Sequence, residues 1–191
     1  AYKFSIDARD EDQTADLFKT IERDIGALDL VIFNVGGNVH FPILETTTRV
    51  FQKVWDMACF AGFLTGREAA RYMVPRGRGK VFFTGASASL RGKSGYSAFA
   101  AGKAGLRMLA QSMARELGPQ NIHVSHLIID AAVDTEFIRE RFRAQGKDPD
   151  RLPEDSLMKP SSVAEAYWSI YHQSKDGWSH EFDLRPFSET W

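Results

Sequence analysis

The chain has 191 residues, with 24 Lys and Arg against 25 Asp and Glu and a formal net charge of −1. That balance excludes a strongly basic nucleic-acid binder and an acidic solvating tail, and 43% hydrophobic residues with 26% charged is the mixture of one globular domain with a real core. No run approaches the roughly 18 consecutive apolar residues of a membrane span, and the single cysteine, Cys59, excludes an internal disulfide or a multi-cysteine zinc site; it reads as a small buried hydrophobe in a reducing, cytoplasmic setting.

Residues 2–6 read as a short strand, too brief and too quickly followed by charge to be a signal peptide. Residues 11–24 carry Ala15, Leu17, Phe18 and Ile21 at helical spacing, with Gly26 beyond as a breaker. Residues 28–33 are a buried-strand run ended by Asn34-Val35-Gly36-Gly37. A long helix is predicted over 48–73, stopped by Pro75-Arg76-Gly77, and a strand over 80–84. A strongly periodic helix covers 99–117, closed by Gly118-Pro119, and a strand covers 123–129. Residues 135–155 are polar and poor in pattern. A helix over 162–172, capped by Ser161 or Ser162, and a last strand over 181–184 complete the chain.

Strands and helices alternate, and the strands are almost continuously apolar. That combination predicts an α/β fold: a doubly wound parallel sheet, Rossmann-like, covered by helices on both faces. Ligands in such sheets bind beyond the carboxyl ends of the strands. Residues 7–10, 34–40, 84–95 and 130–135 lie there.

These segments, in this order, resemble the short-chain dehydrogenase/reductase family over essentially the whole chain. Asp7 stands where the family holds the adenine amino group, with Ala8 beside it. Phe33-Asn34-Val35-Gly36 stands for its Asn-Asn-Ala-Gly. Ser89-Leu90-Arg91-Gly92, Lys103-Ala104-Gly105-Leu106-Arg107 and Ala114-Arg115-Glu116-Leu117-Gly118-Pro119 look like its active-site loop and the helix after it. Val133-Asp134-Thr135 resembles the turn whose Thr meets the nicotinamide carboxamide. The resemblance implies NAD or NADP as cofactor, with Asp7, Ala8, Asn34, Val35, Gly36, Lys103 and Thr135 at the cofactor. It also implies a small-molecule carbonyl or alcohol substrate, a lid over 135–160, and a dimer or tetramer built on residues 51–73 and 99–117. No nucleic-acid, membrane or metal partner is expected.

The family's proton chemistry is altered here. Lys103 is in place, but Phe99 stands four residues earlier in place of the catalytic Tyr. Ala86, thirteen residues before that, replaces the Ser, and Ala58 replaces the Asn. Asp130-Ala131 replaces the Pro-Gly that opens the turn to Thr135. Neighbouring groups could stand in. Tyr96 lies seven residues before Lys103, about 10.5 Å along a helix axis; Ser87 and Ser89 follow Ala86; His40 follows the Asn34 turn and titrates in the useful range. His123 and His126, three apart in a strand, point to opposite faces. Arg139, Arg141 and Arg143 either pair with Glu136 and Glu140 on a solvated helix or face an acidic substrate. Small neighbours around Lys103 allow close approach of a ligand or another backbone.

The Gly-rich turn that grips a dinucleotide pyrophosphate does not occur in the sequence. The resemblance implies that an N-terminal strand–helix–strand unit carrying it belongs to the protein. Two functions stay open: an NAD(P)-dependent oxidoreductase with a non-standard active site, or a catalytically inactive nucleotide-sensing or oligomeric scaffold.

Overall fold

The computed structural model describes residues 1–189. Helix α1 (Glu11–Asp24) starts on Asp10, whose carboxylate accepts from the Gln13 amide, and it carries Glu11 and Asp12 in its first turn, where the helix dipole favours them. Strand β1 (Leu30–Phe33) follows. Helix α2 (Thr48–Trp55), capped by the Thr47 hydroxyl, runs through a π-helical turn at Asp56–Phe60 into α3 (Ala61–Arg76). The helix continues through Pro75 and stops at Gly77, whose φ of 61° is left-handed. Then come β2 (Gly79–Thr84), α4 (Ser97–Leu117), β3 (Ile122–Ile129), α5 (Glu136–Ala144), α6 (Pro160–Tyr171) and β4 (Glu181–Leu184).

The four strands are parallel and lie in the order β1-β2-β3-β4. Side chains alternate between faces. Val81, Phe83, Ile122 and Val124 pack with Phe18 of α1, Ala61, Ala69 and Met73 of α3, and Leu106 and Ala110 of α4. Phe82, Leu127 and Ile129 pack beneath Ala166 and Ile170 of α6. Both faces are thus covered, as a doubly wound sheet requires. The crossovers β1–β2 and β2–β3 use the first face and β3–β4 the second, while the order advances one way. The last crossover therefore has the opposite hand to the two before it.

Three expectations need correction. Residues 2–6 form no strand: Tyr2, Phe4 and Ile6 are exposed, and no described strand lies beside them to complete a ladder. Residues 135–155 contain α5; it buries no side chain, so no apolar stripe marks it. Helix α6 begins at Pro160 with Lys159 before it, using proline's preset φ at the first turn rather than a serine cap. His123 and His126 do point to opposite faces, and both are buried. Among the described residues, no helix is long and apolar enough to cross a membrane.

Candidate functional site

A cavity of about 450 Å³ opens beyond the carboxyl ends of β2 and β3. Ala86, Ser87, Arg91 and Lys93 wall it from the loop after β2, Tyr96 and Phe99 from the start of α4, and Asn38 and Glu189 from its rim. The loop is fixed by an ion pair. Arg91 Nη1 and Nη2 each lie 3.1 Å from a carboxylate oxygen of Asp130, which is wholly buried at the end of β3. Arg185 approaches the same carboxylate at 3.9 Å.

Lys103 is not a solvated helix charge. It is 4% exposed, and its Nζ donates to the Thr84 carbonyl at 2.7 Å. Burial pushes its pKa down to about 8. An ammonium has three donors, and Thr84 O is the one acceptor for them among the described residues. Nζ lies 6.0 Å from the centre of the Phe99 ring. Phe99 packs with Val54, Ala98 and Ala86. Ala58, fully buried in the π-helical turn, touches the backbone of α4 at Gly102. The four family positions therefore meet at one corner, and three of them are filled by apolar packing.

The stand-in groups separate. Ser87 begins a 3-10 turn (Ser87–Ser89) on the cavity wall, and its hydroxyl has no partner among the described residues. Ser89 is buried and donates to the Ala86 carbonyl at 2.6 Å. Tyr96 lines the cavity, and its hydroxyl accepts from Arg141. His40 stacks edge-on against the Tyr96 ring at 5.0 Å and presses on Gly95, whose φ of 79° and lack of a Cβ make room for it. His40 faces an adjoining cavity of about 400 Å³ shared with Arg141, not the main one.

The residues expected at a cofactor lie at the same end of the sheet and differ in what remains available. The Asp7 carboxylate is held by Arg9, at 2.9 Å from Nε and 3.0 Å from the backbone amide, and this pairing lowers its pKa to about 2. Ala8 packs against the core, and Val35 joins the same cluster. The Thr135 hydroxyl caps α5 by accepting from the Ile138 amide. Asn34 is exposed directly after β1, and the space in front of Gly36 is open. Free donors on Lys103 and open room at Gly36 suit a polyhydroxylated ligand. Among the described residues, no group of three His, Cys, Asp or Glu is placed to hold a metal.

Sequence reasoning missed the Arg91–Asp130 pair, whose members stand 39 residues apart, and the seat of Arg141 on Asn38 and Tyr96, spanning 103 and 45 residues. The replacement of Pro by Asp130 was the one local sign of the first.

Residues 1–146 match the family model for short chain dehydrogenase. The chain belongs to the short-chain dehydrogenase family. A 2-dehydro-3-deoxy-D-gluconate 5-dehydrogenase of Formosa agariphila is 36% identical over 124 residues, covering 65% of this chain and 46% of that one. A gluconate 5-dehydrogenase of Gluconobacter oxydans is 30% identical over 122 residues, covering 64% and 48%. The chain spans about half the length of these relatives. A crystal structure of a short-chain dehydrogenase from Rhodopseudomonas palustris superposes with a TM-score of 0.78 at 50% identity, over 96% of this chain and 74% of that one. The closed form of a serine dehydrogenase complexed with NADP+ shares the fold at TM-score 0.87 and 18% identity, over 100% of this chain and 77% of that one.

Proposed function

We propose that the protein is an NAD(P)-dependent oxidoreductase interconverting a carbonyl and an alcohol on a small molecule, with a site that departs from the family's usual one. The observation that carries this is the buried Lys103 amine, with donors to spare, behind a cavity walled by the hydroxyls of Ser87 and Tyr96 at the carboxyl edge of the sheet. Family membership and the NADP-bound structures that share the fold support the cofactor class. A bound nicotinamide nucleotide supplies or takes up the hydride. Lys103 would hold ribose hydroxyls, Asn34 and Gly36 would border the nucleotide, and residues 135–160 would form the lid. Asp7, Ala8, Val35 and Thr135 complete the proposed cofactor border, with Asp7 and Thr135 first giving up their internal bonds. The Ser87 hydroxyl is free to meet the substrate oxygen. Tyr96, steadied by Arg141, and His40 behind it are the remaining proton-bearing groups. Without a Tyr at position 99 the proton-transfer contribution, typically about 10²–10⁴-fold, is diminished, so turnover is slow.

The phosphate-gripping turn such a nucleotide needs is not in this sequence. The outer edge of β1, where Ile32 is 40% exposed, is where the family's strand bearing it would pair. Phe51, Phe63 and Met108, exposed on α2, α3 and α4, support self-association through those helices.

One observation favours a second reading, a catalytically inert nucleotide sensor or oligomeric scaffold: Phe99, Ala86 and Val54 pack as an apolar cluster where the family has hydroxyls. Titration with NADH and NADPH, followed by tryptophan fluorescence, tests both. Binding plus measurable reduction across a ketone panel supports the oxidoreductase; binding without turnover supports the sensor; no binding of either nucleotide removes both cofactor-based readings.

A further inference from the structure

Three arginines lie along α5, and two are neutralised. Arg139 is closed by Asp134, at 2.5 and 3.0 Å, and by Asp150 at 2.6 Å. Arg143 is closed by Glu136 at 2.7 Å. Arg141 has no carboxylate within 4.0 Å among the described residues. Its Nη1 donates to Asn38 Oδ1 at 3.4 Å, its Nη2 donates to the Tyr96 hydroxyl, and its guanidinium carbon sits 5.6 Å from the centre of the Tyr96 ring. Asn38 and Tyr96 line the main cavity, while Arg141 lines the adjoining one, which shares Asn38 with it.

Neutral partners hold a guanidinium without cancelling its charge. Five N–H donors are available on the fork, and two are spent. Because the amide, the phenol and the ring already fix its position, little side-chain freedom is lost when a ligand docks. Lys93 lines the main cavity and forms no ion pair among the described residues. Two carboxylates are near. Glu189 lines the cavity but lies 3.9 Å from Arg91, and Glu140 shares the adjoining cavity with Arg141 without forming an ion pair with it. Two cations without carboxylate partners among the described residues thus stand at two adjoining cavities, Lys93 lining the main one and Arg141 the one that shares Asn38 with it.

We propose that Arg141, assisted by Lys93, is the subsite for an oxyanion head group, carboxylate or phosphate, on the small-molecule substrate. The proposal rests on the oxidoreductase reading only in calling that molecule the substrate. Arginine's planar fork pairs with either head group, and the charge makes such bonds stronger than neutral ones.

Calorimetric titration with three six-carbon probes that differ only at C1 tests it: D-gluconate, D-glucitol 1-phosphate and uncharged D-glucitol. At least one anionic probe should bind about tenfold or more tightly than D-glucitol. The better of the two identifies the head group. In Arg141→Gln that advantage should vanish while the affinity for D-glucitol holds; thermal melting of the variant checks that it is folded. Equal affinity for all three probes, no binding of any, or an advantage that survives Arg141→Gln overturns the proposal. NADH and NADPH titrations of the same samples read the oxidoreductase assignment separately. Loss of nucleotide binding with the anion preference intact would sink that assignment and leave this one standing.

Discussion

Arg91 and Asp130 join the loop after β2 to the end of β3 through two contacts of 3.1 Å, one carboxylate oxygen to each terminal nitrogen. Asp130 is wholly buried. Removing one partner of such a pair strands a charge away from water, whereas neutralising the carboxylate does not. Arg91→Met is therefore expected to cost about 3 kcal/mol, eased by Arg185, with Asp130→Asn costing clearly less. Urea unfolding of the two variants checks the order; equal losses would mean that the pair acts through packing alone.

Lys103 makes stability depend on alkaline pH. Its pKa falls from 10.5 to about 8 through burial. Between those values the unfolded chain holds the proton and the folded chain does not, so this group's contribution to stability rises with pH across the window. Below it both states are charged, and the full burial cost of about 3 kcal/mol stands. Lys103→Met should thus be most stabilised relative to the parent near neutral pH, and the gap should narrow towards pH 10.5. Denaturant midpoints across that range measure it; a gap independent of pH would contradict the burial cost.

Gly102 is where α4 comes closest to the π-helical turn. A Cβ built there would lie 2.8 Å from the Ala58 Cβ, a contact that neither rigid group can relieve. Helix propensity alone would reward Gly102→Ala by about 1 kcal/mol, but overpacking costs about 1–3 kcal/mol. A net loss of stability is expected, read by thermal unfolding. The same crowding predicts that Ala58→Asn is more damaging than Ala86→Ser, which faces the cavity.

Ala86→Ser with Phe99→Tyr restores two hydroxyls beside Lys103. If the active site lacks only its proton donor, ketone reduction with NADPH should rise about 10²-fold. A parent that already turns over briskly and is slowed by the double change would place the acid elsewhere, and Ser87→Ala and Tyr96→Phe would then locate it.

Local patterning made much of the fold legible. Helix α1 and strand β4 have the limits that spacing alone assigns, and the parallel sheet follows from apolar strands alternating with helices. Residues 2–6 were misread because a strand is completed by a partner, which local sequence does not supply. Helix α5 escaped because an element that buries nothing leaves no apolar rhythm. At the candidate site, family spacing pointed to Lys103, with Ser87 and Tyr96 offered as neighbours of the replaced positions, and the small residues around Lys103 signalled close approach, seen as Gly102 on Ala58 and Gly105 on Cys59. Spacing gave no sign that Arg141 would rest on Tyr96, or that the Lys103 amine would donate to the Thr84 carbonyl, because those contacts exist only once distant segments meet.

The wide turn at Asp56–Phe60 lets one rod address two neighbours. Val54 and Ala58 look towards α4, whereas Ala69 and Met73 look towards the sheet. An α-helix advances about 100° per residue. Deleting a single residue from this turn would swing everything after it by that angle, moving Met73 off the strands and bringing Val74 to its place. The length of the turn acts as a phase adjuster, and the chain should tolerate substitution there far better than a change in residue count.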